Sequence, residues 1–136
     1  MIKISILIFF SFCLFQTFAQ TVKSIDDMSK KYQTCLDAGK DMLGCSQHFY
    51  AQMDSTLNVA YNNLLTLLNS TEKESLKKEQ LMWLKKRDTY FKKKDKIFQD
   101  NVKKGNWGQD MKMITYDDKA NYVKERVIVL IKKIKH

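Results

Sequence analysis

The sequence predicts an all-α protein of about four helices, with an antiparallel helical hairpin, flanking N- and C-terminal helices and one disulfide. The chain of 136 residues contains no proline, and its four glycines fall in two short segments. Between those segments apolar residues recur every three or four positions, which places them on one face of an α-helix. A long chain without proline and with this spacing favours a helical bundle.

Residues 1–19 have the pattern of a secretory signal peptide. Lys3 supplies the positive start, residues 4–15 form an apolar run, and small residues precede the expected cleavage after Ala19. The apolar run is too short to span a bilayer. We therefore expect an exported protein, periplasmic or extracellular, whose mature domain covers residues 20–136.

The mature chain keeps two cysteines, Cys35 and Cys45, because Cys13 lies in the expected signal peptide. An even pair in a small exported protein favours a disulfide, with two free thiols as the alternative. A bridge across this short loop stabilises the fold by roughly 2–3 kcal/mol in the chain-entropy model. The two histidines, His48 and His136, lack metal-ligand spacing, so we expect no metal and no other cofactor.

Four helical segments follow from the apolar spacing and from the helix-breaking residues between them. They are expected at about residues 24–36, 46–68, 71–104 and 116–135. The two segments that contain glycine form the first and last loops. Thr71 and Glu74 can form a capping box that starts the third helix.

The second and third helices are joined by a short turn and should pack antiparallel. Counting outward from Ser70 places Asp54 opposite Arg87, about 25 Å from the turn at 1.5 Å per residue. The neighbouring layers pair Asn58 with Trp83, and Tyr61 with Gln80. We predict a partly buried Asp54–Arg87 ion pair, with Asn58, Gln80 and the Tyr61 hydroxyl hydrogen-bonded nearby. Such a network fixes the register of the hairpin.

The protein is strongly basic. It has 24 basic and 15 acidic side chains, and removal of the signal peptide with its one lysine leaves a net charge of +8. Such a charge favours anionic membrane or wall surfaces, and export makes nucleic acid an unexpected partner, although solubility alone explains the charge equally well. The candidate contacts are Lys92, Lys93, Lys94, Lys103 and Lys104, and the alternative is a solvated helix face over an aromatic stripe.

Enzymatic chemistry finds little support in the sequence. No Ser-His-Asp or Cys-His arrangement has plausible spacing, and four scattered glycines cannot form a phosphate loop. The adjacent carboxylates of Asp26 and Asp27, or of Asp117 and Asp118, point in different directions on a helix. They are therefore poor candidates for paired acid–base work. We expect a binding protein and not an enzyme.

The order of the cysteines and of two polar motifs resembles the lysozyme inhibitor LprI-like family of secreted bacterial proteins. The resemblance rests on Cys35, Cys45, Asp54, Leu57, Asn58, Tyr61, Gln80, Trp83, Arg87 and Asp88, and extends more weakly to Gly108, Arg126 and Leu130. It implies an exported envelope protein that inhibits a lysozyme by non-covalent binding. The alternative is an envelope module that binds anionic surfaces or an unidentified protein partner, without inhibitor activity.

Many members of that family carry two further cysteines where this chain has Phe91 and Asp118. The resemblance therefore implies the loss of a second disulfide and supports pairing of the two cysteines that remain. Lysozymes work with two carboxylates in a cleft, which a lysine or a loop hydroxyl could occupy without any reaction. The loops at residues 39–44 and 104–111 are least explained by packing, and we expect them to make the contacts.

Overall fold

The computed structural model describes residues 22–105 and 108–134, so the expected signal peptide lies outside the described residues. The described residues form four α-helices and no strand. The helices are α1 (Val22–Asp37), α2 (Met42–Leu67), α3 (Ser70–Lys103) and α4 (Gln109–Ile134). The predicted all-α class with four helices is confirmed. None of the described helices has the length and apolar character needed to cross a membrane.

Successive helices run in alternating directions. α1 runs antiparallel to α2, and Tyr32 stacks on Phe49 with ring centroids 4.5 Å apart. α3 returns along α2 as a hairpin, so that Tyr50 early in α2 meets Phe91 far along α3, with ring centroids 6.0 Å apart. α4 then runs parallel to α2, and its Tyr116 ring lies 6.0 Å from the Tyr50 ring.

α2 and α4 pack against each other more closely than any other pair of helices. Small side chains permit this approach, since Ala60 on α2 and Ala120 on α4 are fully buried. Apolar residues at intervals of three and four align one face of each helix along the shared seam. The main contributors are Phe49, Met53, Leu57 and Leu64 on α2, and Val123, Val127, Leu130 and Ile131 on α4.

α1 and α3 complete the bundle around this pair. α1 contacts both α2 and α4 and buries Ile25 completely. α3 packs mainly on α4. The α2–α3 hairpin is present, but its two helices contact each other less than α2 contacts α4. Of the 34 residues of α3, only Leu76 and Gln80 are buried. Most of this long helix therefore faces solvent or lies at the edge of the core.

The α2 helix begins earlier than the predicted start at Ser46. Asp41 caps it, because the Gly44 N–H donates to the Asp41 Oδ1 at 2.9 Å. Gly44 therefore belongs to the first turn of α2 and not to the loop before it. A side-chain acceptor at this position satisfies a backbone N–H that has no partner within the helix.

The third and fourth helices also begin before their predicted starts. The capping box of α3 joins Asn69 to Glu72 and not Thr71 to Glu74. The backbone N–H of Asn69 donates to the Glu72 side chain, and that of Glu72 donates to the Asn69 side chain, each at 3.0 Å. α4 begins at Gln109 and not at Tyr116. The predicted loop of residues 104–111 is consequently much shorter.

The Cys35–Cys45 disulfide joins the last turn of α1 to the first turn of α2 and confirms the predicted pairing. Gly39 lies between the two helices with φ of 66°, a conformation that residues with a Cβ rarely adopt. The bridge and the glycine together fix a tight antiparallel turn.

Replacing both cysteines in C35S/C45S should lower the free energy of unfolding by roughly 2–3 kcal/mol, because the unfolded chain regains the entropy of the open loop. Urea unfolding followed by far-ultraviolet circular dichroism measures the loss. In a reducing buffer the variant and the parent should have the same midpoint. A loss below about 0.5 kcal/mol in oxidising buffer, the size expected of a surface substitution, would contradict a stabilising role for the bridge.

Candidate functional site

Arg126 on α4 contacts Gln80 and Trp83, two residues of the polar motif on α3. Its side chain is 6% exposed, and its Nε and Nη2 donate to Gln80 Oε1 at 2.9 and 2.8 Å. Its Nη1 donates to Glu79 Oε1 at 2.6 Å, and its guanidinium carbon lies 5.9 Å from the centroid of the Trp83 ring. A planar guanidinium can make all these contacts at once because it carries five donors in one plane. The motif residues Gln80 and Trp83 therefore fasten α3 to α4.

The predicted ion pair between Asp54 and Arg87 is wrong. Arg87 donates from Nε and Nη2 to Asp88 Oδ1 on its own helix, at 3.0 and 2.8 Å. Its guanidinium carbon lies 5.7 Å from the ring centroids of both Trp83 and Phe91. Asp54 forms no ion pair with any residue that the structure describes. The Arg87 guanidinium therefore finds its partners on its own helix, in the Asp88 carboxylate and two aromatic rings.

The hydrogen-bond network predicted around that pair is also wrong. Asn58 is exposed and donates to the backbone oxygen of Asp54 at 3.2 Å, while Gln80 turns to α4. Burial chiefly raises the pKa of Tyr50, Asp54 raises it further, and Arg87 opposes the rise. The charges of Asp54 and Arg87 thus both act on Tyr50, although the two side chains form no ion pair with each other.

A column of three aromatic rings continues the α3–α4 interface beyond Arg126. Trp83 stacks on Tyr122 with centroids 5.8 Å apart, and Tyr122 stacks on Tyr90 at 4.6 Å. Lys94 Nζ lies 5.3 Å from the Tyr90 centroid. Cations are attracted to ring faces, so Arg126 and Lys94 stabilise the two ends of the column.

The five candidate lysines divide into two groups. Lys94 is used within the fold, since its Nζ lies 2.6 Å from Asp118 Oδ2. The second pair between the same helices, Lys119 with Asp95, also has a distance of 2.6 Å. The other four candidates are exposed: Lys92, Lys93, Lys103 and Lys104. Of the five, these four have ammonium groups that remain open to an outside partner.

Phe91 and Asp118, where the resemblance implies lost cysteines, both lie at the α3–α4 interface. Asp118 binds Lys94, and Lys119 Nζ lies 5.2 Å from the centroid of the Phe91 ring. An ion pair and a cation–ring contact therefore link the two helices at these positions.

Both loops expected to make contacts lie at one end of the bundle, which we call the loop end: residues 38–43, 103–105 and 108–113. The α1–α2 turn and the start of α4 line one cavity of about 170 Å³ there. Its lining includes Gly39 and Lys40 from the turn, and Gln109 and Met113 from α4. The structure thus brings together two loops that are far apart in the sequence.

Polar contacts immobilise the helices behind the loop end. The Tyr32 hydroxyl donates to Asp117 Oδ1 on α4 and lies 3.0 Å from Ser46 Oγ on α2. Burial and then the hydrogen bond to Asp117 raise the pKa of Tyr32 to about 12. One side chain of α1 therefore ties together three helices near the disulfide.

The carboxylate of Glu79 forms ion pairs within the fold. It accepts from Arg126 and from Lys133, each at 2.6 Å. Burial alone raises the pKa of Glu79, but hydrogen bonds from Lys133 and Arg126 outweigh burial and hold it below its ordinary value. Among residues 22–105 and 108–134, no cluster of histidine, cysteine and carboxylate side chains could hold a metal ion.

Where the structure describes the chain, fold and site together define a small bundle of four helices with one disulfide at its loop end. A family model described as lysozyme inhibitor LprI matches residues 29–130, from α1 to near the end of α4. The chain belongs to the LprI lysozyme inhibitor family. Comparisons with curated proteins and with solved structures give no match.

The sequence contains a signal for the buried arginine, and this signal lies outside the two polar motifs. Arg126 lies between Val123 and Val127 in the apolar stripe of α4. A charged group in such a stripe is costly unless it is paired. The partner is therefore to be sought on a facing helix, but the sequence does not say that this helix is α3.

The variant R126M should lower the free energy of unfolding by about 2–4 kcal/mol, because Gln80 keeps a buried carbonyl without a donor and Glu79 loses one of its two cations. Urea unfolding measures the loss. K77M, which removes the exposed Lys77–Glu74 pair, is the matched control and should cost less than about 1 kcal/mol. Equal losses for the two variants would show that the Arg126 contacts contribute nothing specific.

Tyr32 should make stability fall at alkaline pH. Its pKa rises from 10.0 to about 12 on folding, so its contribution is complete below pH 10 and is lost as the pH approaches 12. Urea unfolding between pH 8 and 12 should show a shallower alkaline decline for Y32F than for the parent. Y61F is the control and should follow the parent. Parallel curves for Y32F and the parent would contradict the assignment.

Proposed function

We propose that this protein is an exported inhibitor of a lysozyme or a similar glycosidase, acting by non-covalent binding and not by catalysis. The observation that carries the proposal is the family match over residues 29–130, which spans the disulfide, the Arg126 contacts and the loop end. The pattern of residues 1–19 supports export to the periplasm or the cell exterior.

The loop end is the surface best suited to enter an enzyme cleft. Lys40, Lys103 and Lys104 are exposed there, and glycosidases place a pair of carboxylates beside the bond that they cleave. An ammonium group can form charge-assisted hydrogen bonds with such carboxylates and leave every covalent bond intact. These three lysines are therefore our candidate inhibitory contacts.

Preorganisation supports the choice of the loop end. The disulfide closes the α1–α2 turn, and Tyr32 ties α1 to α2 and α4 close behind it. Binding through a segment that is already ordered loses less conformational entropy than binding through a mobile loop.

The charges around the loop end are of both signs. Lys96 Nζ lies 3.1 Å from Asp100 Oδ2, and this hydrogen bond, with smaller contributions from Lys103 and Lys104, holds the pKa of Asp100 below its ordinary value. Asp110 lies in the first turn of α4. Local acids reduce the repulsion that the net positive charge would exert on a basic enzyme.

The mature chain should slow the lysis of bacterial wall suspensions by at least one class of lysozyme at low micromolar concentration. K103Q/K104Q should weaken inhibition at least about fivefold, or about 1 kcal/mol. K30Q/K31Q removes two exposed lysines of α1 and should change inhibition less than about twofold. No inhibition of any lysozyme class would overturn the proposed function, and equal losses in the two variants would overturn the loop-end assignment.

A further inference from the structure

A second concave surface lies on α3, away from the loop end. We call it the α3 groove: it has a volume of about 490 Å³ and is lined by Lys85, Lys86, Thr89, Tyr90, Lys93 and Tyr122. All but Tyr122 come from α3, within one stretch of nine residues. We propose that this groove binds an acidic glycan, a chain of sugars that carries carboxylate, phosphate or sulfate groups.

The lysines of the α3 groove lack carboxylate partners. Lys85, Lys86 and Lys93 are exposed, and none forms an ion pair within the part of the chain that the structure describes. Cations close by on the same helix differ, since Arg87 binds Asp88 and Lys94 binds Asp118. The positive charge of the groove is therefore not neutralised within the fold, and it favours an anionic ligand.

The two tyrosines give the groove a rigid wall. Tyr90 and Tyr122 stack with ring centroids 4.6 Å apart, and Trp83 and Lys94 extend the stack on either side. Stacking uses the ring faces, and the Tyr90 hydroxyl is hydrogen-bonded to Lys94, which leaves the Tyr122 hydroxyl for a ligand. Aromatic edges carry the positive end of the ring quadrupole, so they add to the attraction that the lysines exert on anions.

The shape and hydrogen-bonding groups of the groove favour a glycan over other polyanions. The groove follows the helix from Lys85 to Lys93, roughly 12 Å at 1.5 Å per residue, which suits a short linear chain. The Thr89 hydroxyl donates to the Lys85 carbonyl oxygen at 2.9 Å and can still accept from a sugar hydroxyl.

Other anionic partners fit less well. The backbone N–H groups of α3 are used within the helix, so an extended peptide cannot add to them as it does to a sheet edge. A membrane binds through apolar side chains that project into it, and the exposed apolar residues that precede the groove on α3, Leu81 and Met82, are not among the residues that line it. A sugar chain needs neither feature.

The test is isothermal titration calorimetry of the mature protein with a size-defined, sulfated heparin octasaccharide. K85Q/K86Q/K93Q should weaken binding at least about tenfold, equal to about 1.4 kcal/mol. K30Q/K31Q/K132Q removes the same charge from exposed lysines of α1 and α4, and should weaken binding less than about threefold. Y122F keeps the ring and removes its hydroxyl, and should also weaken binding.

Several results would overturn the proposal. Equal losses in the two triple variants would show attraction to net charge alone. Absence of octasaccharide binding, with phosphatidylglycerol vesicles bound through the same groove lysines, would assign the groove to a lipid surface. Binding of a neutral chitin oligosaccharide as tightly as the sulfated one would remove the role of the anionic groups.

A lysozyme inhibition assay of the same variants tests the proposed function separately from glycan binding. Because the α3 groove and the loop end share no residue, K85Q/K86Q/K93Q should inhibit lysozyme as the parent does. K103Q/K104Q should in turn bind the octasaccharide within about threefold of the parent. Either proposal can therefore fail while the other stands.

Discussion

The close parallel packing of α2 on α4 is the constraint from which the rest of the bundle follows. Two parallel neighbours cannot be joined by a short turn, so the chain must first travel back along their length. α3 makes this return journey with 34 residues, roughly 51 Å of helix. Its length and its position at the side of the pair are consequences of that topology.

Because α3 lies outside the closest contact of the fold, long side chains attach it. Arg126 reaches Gln80 and Glu79, and three stacked rings and two ion pairs extend the interface towards the other end of α3. A buried guanidinium with all these partners specifies one register more strongly than apolar packing alone, because a shifted register leaves it unpaired. Arg126 thus fixes the register of α3 on α4, whereas the register predicted from Asp54 and Arg87 is that of α2 against α3.

The two surfaces proposed for binding differ in the contacts that hold them and in their charge. The disulfide and Tyr32 stiffen the loop end, whereas the α3 groove is rigid because its tyrosines are stacked. The loop end offers lysines beside acids such as Asp110, and the α3 groove offers lysines without acid partners. Surfaces so different in charge fit partners of different chemistry.

The sequence predicts the secondary structure well because no proline interrupts the apolar spacing, and it predicts the disulfide because export makes a cysteine pair informative. The errors of the prediction come from sequence patterns that more than one structure satisfies. Asn69 with Glu72 and Thr71 with Glu74 have the same capping pattern, and only the folded chain shows that the first is used. An apolar stripe identifies the buried face of a helix and not the helix that it faces, so the α2–α4 pairing and the contact of Gln80 with Arg126 could not be derived.

The shallow burial of α3 has an evolutionary consequence. Leu76 and Gln80 are its only buried residues, and the exposed residues of its outer face can change without creating a cavity in the core. Substitutions on its outer face cost little folding free energy, so its binding properties can diverge while the α2–α4 pair stays constant. The outer face of α3 is thus a long display surface, whereas Gln80, Trp83 and Phe91 on its inner face hold the helix to the rest of the bundle.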